Sequence, residues 1–274
     1  MAGVNRQVLP GFSLTLGYTL FYLGILVLLP IAACFIKAAS LSFDQFWGAV
    51  WTERARAAYL LTFGAAFVAA IANLLLGLLL AWVLVRYSFP GKKLVDSLVD
   101  LPLALPTAVA GLVYAGLYVE NGWLGQYLVP LGIQGAYSRL GIVLVLIFVG
   151  LPFVVRTVQP ILEDLDPELE EASASLGATR LQTFRDVILP TLYPALITGF
   201  ALAFSRGVGE YGSVVFISGN MPYKTEIAPI LIVARLEEFA YGEATAIAVV
   251  LLVISFSMLL LINLLERRSM RHER

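Results

Sequence analysis

The sequence has one cysteine, Cys34, and one histidine, His272. A single thiol forbids an intramolecular disulfide and leaves the redox compartment unread. With no imidazole outside the tail, Ser-His-Asp and Cys-His catalysis are excluded, and so are histidine-based zinc sites. Charge is scarce as well, at 14% of residues, where a soluble domain carries about 25%. A large core cannot explain that shortfall, because a soluble particle still needs polar surface. Net charge is −1, and no basic run is interleaved with aromatics, so nothing points to nucleic acid. There is no Gly-x4-Gly-Lys-[Ser/Thr] phosphate loop. Any ATP-driven step must therefore take place on another chain.

What the chain does have is apolar length. Hydrophobic residues make up 59% and mean hydropathy is +0.86. Crossing the hydrocarbon core takes about 20 mainly apolar residues. Six stretches qualify: 12–36, 59–85, 98–119, 140–162, 191–217 and 244–265. The third is interrupted by Pro102 and Pro106. The runs are too long and unbroken for a membrane barrel. The expected fold class is an all-α polytopic membrane protein with six transmembrane helices, organised as one permease domain over residues 1–274.

Lys and Arg in the short loops orient it. Arg6, Arg86, Lys92, Lys93, Arg156, Arg180, Arg185, Arg267, Arg268, Arg271 and Arg274 fall on one side. Lys37, Arg54, Arg56, Arg139, Lys224 and Arg235 fall on the other, and Arg206 lies within a span. The richer side is assigned to the cytoplasm, with both termini there.

The segment between the fourth and fifth spans, about 163–190, is structured for a connector. Asp166 is a good N-cap, and Pro167 suits the first helical position. Glu168, Glu170 and Glu171 lie near the positive end of the helix dipole. Gly177 can end a helix in the left-handed conformation. Thr179 and Gln182 form a capping box for a second short helix, and Leu189-Pro190 is expected to stop it. Ala172, Ser173, Ala174 and Ser175 offer a smooth surface. The spacing alone fits either a protein-docking element or a hairpin lying on the membrane.

Glu171-Ala172-Ser173, Gly177 and Val187-x-Leu189-Pro190 resemble the EAA loop of bacterial ABC importer permeases. The departures are Ser173 for alanine and Val187 for isoleucine. Further stretches are similar to the sulfate/thiosulfate permeases: Leu9–Phe12, Asp100–Gly111, Pro152–Pro160 and Arg206-x-x-Gly209-Glu210-Tyr211-Gly212. Among them the chain looks most like the T-type subunit. The resemblance implies a type I (MetI-like) permease fold whose loop is a coupling helix, with Glu171, Ala172, Ser173, Gly177, Leu189 and Pro190 engaging the ATPase. It also implies a homologous W-type permease partner, two ATPase subunits carrying ATP and Mg, an extracytoplasmic sulfate-binding protein and residence in a bacterial-type inner membrane. No cofactor, metal or catalytic residue is expected on this chain. Molybdate permeases share the proline-rich third span and the Arg-x-x-Gly-Glu pattern, so another tetrahedral oxyanion is the alternative cargo. An ion-coupled carrier would leave the loop without a role.

Ionisable residues inside a span are costly and are functional candidates by default. Arg206 and Glu210 are four apart, hence on one helical face. Two readings stand: a mutual ion pair, or an arginine facing the path with Glu210 orienting it. Pro102 and Pro106 break the third span, which is tolerated where such backbone is buried or lines a cavity. They are either two ordinary kinks or, as the resemblance to molybdate permeases implies, part of a path or gate, with Pro102, Pro106 and Thr107 as candidates. Gly207-x-Gly209-x-x-Gly212 satisfies a dinucleotide fingerprint, but it lacks the strand that fingerprint requires. Close helix packing explains it better.

Overall fold

A computed structural model describes residues 12–271. Arg6, Leu9 to Gly11, His272 and Arg274 lie outside them. The first described element is α1, in which Phe12–Leu23, a π turn at Gly24–Leu28 and Leu29–Ala39 run together. A short helix α2, Phe43–Val50, follows. The second span, α3, is Glu53–Arg86. It starts earlier than hydropathy suggests because the Thr52 hydroxyl accepts the Ala55 N–H at 3.1 Å, an N-cap that satisfies an orphan donor. The expected third span is in three pieces: α4 (Lys92–Val99), α5 (Leu101–Ala104) and α6 (Thr107–Tyr118). The fourth, α7, is Arg139–Glu163 and is capped by Ser138.

Among the described residues, five helices are long and apolar enough to cross a membrane, and Thr107–Tyr118 is a shorter apolar helix. Its 12 residues cover only about 18 Å at ~1.5 Å per residue. The chain nevertheless traverses the bundle once more between α3 and α7. Arg86, at the end of α3, pairs with Glu170 beside the end of α7, whereas Arg139, at the start of α7, bonds Lys224 at the opposite end of the bundle. The pieces α4 to α6 therefore carry the chain from one end to the other.

Two boundaries differ from expectation. Leu189-Pro190 does not stop the short second helix of the loop. Instead Arg180–Thr183, a π turn at Phe184–Ile188 and Leu189–Val208 form one run, here α9. The Leu189 N–H reaches back five residues to the Phe184 carbonyl. A π turn adds a residue and eases the backbone around a proline that lacks an N–H. The fifth span also ends at Val208, not Ile217. Gly209 caps it, and the chain turns before α10, Val214–Ile217. Helices α11 (Ala228–Glu237) and α12 (Tyr241–Arg271) complete the chain.

The core is the packing of α3, α7 and α9 against one another. Lipid supplies no hydrophobic drive between helices, so close approach through small residues must hold them. Ala65, Ala66, Ala69, Ala70 and Ala81 of α3 are buried. A Cβ on Gly77 would lie 2.7 Å from Val154 Cγ1, and one on Gly199 2.6 Å from the Thr157 hydroxyl. At the end away from Glu170, Arg54 clamps Glu226 through two 2.7 Å bonds, and the Thr62 hydroxyl accepts the Ala228 N–H at 2.8 Å.

Candidate functional site: a braced loop and a broken helix

The loop folds as its capping residues dictate. The Asp166 carboxylate accepts the Glu168 N–H at 3.0 Å, opening α8, Pro167–Ser175. Gly177 ends that helix with φ +83°. Thr179 and Gln182 form the reciprocal box that starts α9. Three contacts brace the result. Glu170 pairs with Arg86. The Ser173 and Thr183 hydroxyls share a 2.8 Å hydrogen bond across the hairpin. Arg86 lies over the Trp82 ring, 5.2 Å from its centroid, and Trp82 meets Phe184 edge-on at 5.4 Å. The loop is thus fastened to the end of α3 and rigidly continuous with α9. Glu171, Ala172 and Gly177 are exposed, Ser173 is half-buried by its bond, and Leu189 and Pro190 are half-buried inside α9. Leu176 and Leu181, 89% and 73% exposed, give this polar end of the bundle an apolar tip.

A second anchor sits beside it. The Arg156 guanidinium donates to Asp96 Oδ1 at 2.6 Å and to Asp100 at 2.6 and 2.9 Å, and Gln159 accepts at 2.7 Å. Bidentate pairing of this kind fixes orientation as well as position. It holds α4 and α5 to α7 just before the third span breaks. Pro102 is buried in the first turn of α5.

The break itself is at Leu105-Pro106, where ψ values of 136° and 127° are extended. Beyond it α6 packs backbone to backbone on the turn that follows α9. A Cβ on Gly111 would fall 2.1 Å from the Ser213 carbonyl oxygen, and one on Gly212 would fall 2.2 Å from the Thr107 hydroxyl. Glu210 shapes that turn. Its carboxylate is 2% exposed. One oxygen accepts both the Ser213 N–H and the Ser213 hydroxyl at 2.8 Å, and the other pairs with Arg206. A buried carboxylate needs such full pairing. The Arg206 side chain, by contrast, is 33% exposed.

Arg206 pairs with Glu210, and Gly212 of the same turn packs on Thr107 beside Pro106, but Glu210 stands beyond the helix and not on its face. Gly207 abuts Ala66, with 3.2 Å between an added Cβ and the alanine methyl. Gly207 and Gly212 serve close packing, while Gly209 ends the helix. Sequence reasoning missed the roles of Trp82, Arg86, Asp96, Arg156 and Ser213. Trp82 and Arg86 carried a signal, being four apart at the polar end of a span.

The family model for the binding-protein-dependent transport system inner membrane component matches residues 73–271. The chain belongs to that family. It is 51% identical over 268 residues to the sulfate transport system permease protein CysT of Salmonella typhimurium, covering 98% of this chain and 97% of that one. It is 50% identical to CysT of Escherichia coli, covering 96% and 95%, and 53% identical to CysT of Synechocystis, covering 93% and 89%. Among solved structures, a bacterial ABC transporter that imports alginate superposes with a TM-score of 0.77 at 19% identity, covering 94% and 95%. The MetNI methionine transporter superposes with a TM-score of 0.58 at 20% identity, covering 84% and 99%. The ABC importer permease fold is thereby established. The chain is a multi-pass inner-membrane component of a binding-protein-dependent transport system.

Proposed function

We propose that this chain is the T-type half of the pore of a sulfate/thiosulfate ABC importer. The feature that carries the mechanism is the unbroken helical run from Arg180 to Val208. It joins the braced loop directly to the Arg206–Glu210 turn. At about 1.5 Å per residue, Arg206 stands roughly 39 Å from Arg180. A rigid displacement at one end is delivered to the other without passing through a flexible link. Near-half identity to CysT proteins over almost the whole chain supports sulfate as the cargo.

In this reading the pore pairs with a homologous W-type permease. Two ATPase subunits in the cytoplasm hold ATP and Mg. An extracytoplasmic sulfate-binding protein delivers the anion, and both termini of this chain face the cytoplasm with the loop. Closure of the ATPases on ATP pushes α8 through Glu171, Ala172, Ser173 and the exposed Leu176. The push reaches α9 through the Ser173–Thr183 bond and the π turn, and α3 through Arg86. The far turn then shifts against Pro106, Thr107 and Gly111, opening the path outward, and hydrolysis resets it. Arg206 provides a partly exposed cation whose charge is tempered by Glu210. Such a weak site lets a dianion pass without trapping it.

The test is radiolabelled sulfate uptake into vesicles that hold the chain with its co-purifying subunits, with binding protein on the outer face. Uptake is expected to need ATP and to vanish when the ATPase subunit is left out. Uptake that persists without ATP and follows an ion gradient would overturn this reading in favour of a secondary carrier. ATP-dependent uptake of molybdate but not sulfate would reassign the cargo alone.

A further inference from the structure

Away from the coupling loop and the Arg206 turn, the outer wall of the bundle carries a groove of about 440 Å³ between α3 and α7. Its floor and walls are apolar: Leu60, Gly64 and Val68 of α3 with Val143 of α7. Leu60 is 77% and Val68 53% exposed, and a Cβ on Gly64 would meet nothing within 4 Å. The trough is therefore open to the surroundings of the bundle, and Leu60 to Val68 runs about 12 Å along the helix. At the end away from the coupling loop, Arg139 and the Tyr223 phenol close it.

That end is cationic and held in place. Arg139 Nε donates to the Lys224 carbonyl at 2.9 Å, which fixes the guanidinium and leaves its terminal nitrogens over. Arg56 lies one turn before Leu60 on the same exposed stripe of α3. Its guanidinium stands over the Trp51 ring, 6.0 Å from the centroid. Among the described residues, neither arginine has a carboxylate within ion-pair distance. Exposed rings of Trp47 and Trp51 mark this level as the boundary between hydrocarbon and headgroups, where tryptophan concentrates.

We infer that the groove is a binding site for one anionic phospholipid. The order of chemistry along it matches such a molecule: an acyl chain beside Leu60, Gly64 and Val68, then a phosphate within reach of Arg139 and Tyr223, with Arg56 adding positive charge. Guanidinium groups pair with phosphate through two parallel N–H donors. A soluble anion would have no use for the apolar trough. A helix of a partner subunit would leave the cations unmatched at the membrane edge. The inference does not depend on which anion the transporter carries.

Native mass spectrometry of the complex the chain purifies with, titrated with phosphatidylglycerol and with phosphatidylcholine, tests this. One tightly retained phosphatidylglycerol per copy is expected. Arg139→Gln is expected to weaken its binding about tenfold, the scale of losing one charge-assisted contact, while Arg139→Lys retains most of it. Gly64→Phe fills open space and is expected to displace the lipid while leaving the assembly intact. Unchanged phosphatidylglycerol binding in both Arg139→Gln and Gly64→Phe would overturn the inference. So would displacement of the signal by inorganic phosphate alone, which would make the arginine a soluble-anion site. Gly64→Phe that sheds a partner subunit with lipid binding unaltered would make the groove a protein interface instead.

Discussion

Substitutions at Gly177 separate backbone strain from steric docking at the loop proposed to engage the ATPase. The residue has φ +83°, and a Cβ there would meet nothing within 4 Å inside this chain. The penalty of a side chain is therefore conformational. An L side chain in this region costs about 1–2 kcal/mol, alanine near the lower end and a β-branched residue at the upper end or beyond. Asparagine visits the same region readily. Converted to populations, ~1 kcal/mol is roughly a fivefold loss of the correctly turned loop and ~2 kcal/mol roughly thirtyfold. Sulfate uptake per assembled complex should therefore fall in the order Gly, Asn, Ala, Val, with the ATPase rate measured in parallel to register uncoupling. Normal uptake with Gly177→Val would refute the role of the turn. Asparagine as damaging as valine would refute the strain argument, because it would mean that the ATPase surface, not the backbone, rejects the side chain.

Arg206→Ala is expected to cost about 3–5 kcal/mol, since it strands the buried Glu210 carboxylate. Arg206→Ala with Glu210→Gln should recover much of that loss in a thermal unfolding assay, and failure to recover would show that Arg206 acts elsewhere. Gly111→Val drives a side chain into the Ser213 carbonyl, 2.1 Å from the new Cβ. It should lower stability by more than the ~1–3 kcal/mol of ordinary overpacking and leave the path leaky or sealed, which passive sulfate flux reports. Removing Arg86 or Glu170 should cost about 0.5–1 kcal/mol of loop anchoring. The double variant should be little worse than either alone, and strict additivity in a double-mutant cycle would exclude the brace.

Most of the helices were legible because lipid makes hydropathy a direct record of the solvent. The loop was legible for a different reason. Asp166, Pro167, Gly177, Thr179 and Gln182 act locally, each on backbone within three residues, so spacing alone specifies the hairpin. Errors arose where a local signal was overruled from a distance. Pro190 looked like a stop, yet the π turn before it lets the helix continue. Val214–Ile217 looked like more of the fifth span, yet Gly209 and the Glu210–Ser213 bonds turn the chain first. The anchors Arg156 with Asp96 and Asp100, and Arg86 with Glu170, join residues 56 to 84 positions apart. No periodicity in one sequence encodes such pairs. The proline pair announced the break in the third span, but not that Pro102 would be buried in the turn before it.

The π turn at Phe184–Ile188 also fixes a phase. An α-helix turns about 100° per residue, so one residue more or fewer between the loop and the gate would swing Arg206 about a third of a circle relative to Glu171. The loop surface around Glu171 and the turn around Arg206 are thus keyed to each other like the two bits of one shaft. Substitutions in the turn can be tolerated as long as its length is kept. Deleting one of its exposed residues, Arg185 or Asp186, would leave Glu171, Phe184 and Arg206 all present, yet aim Arg206 in another direction.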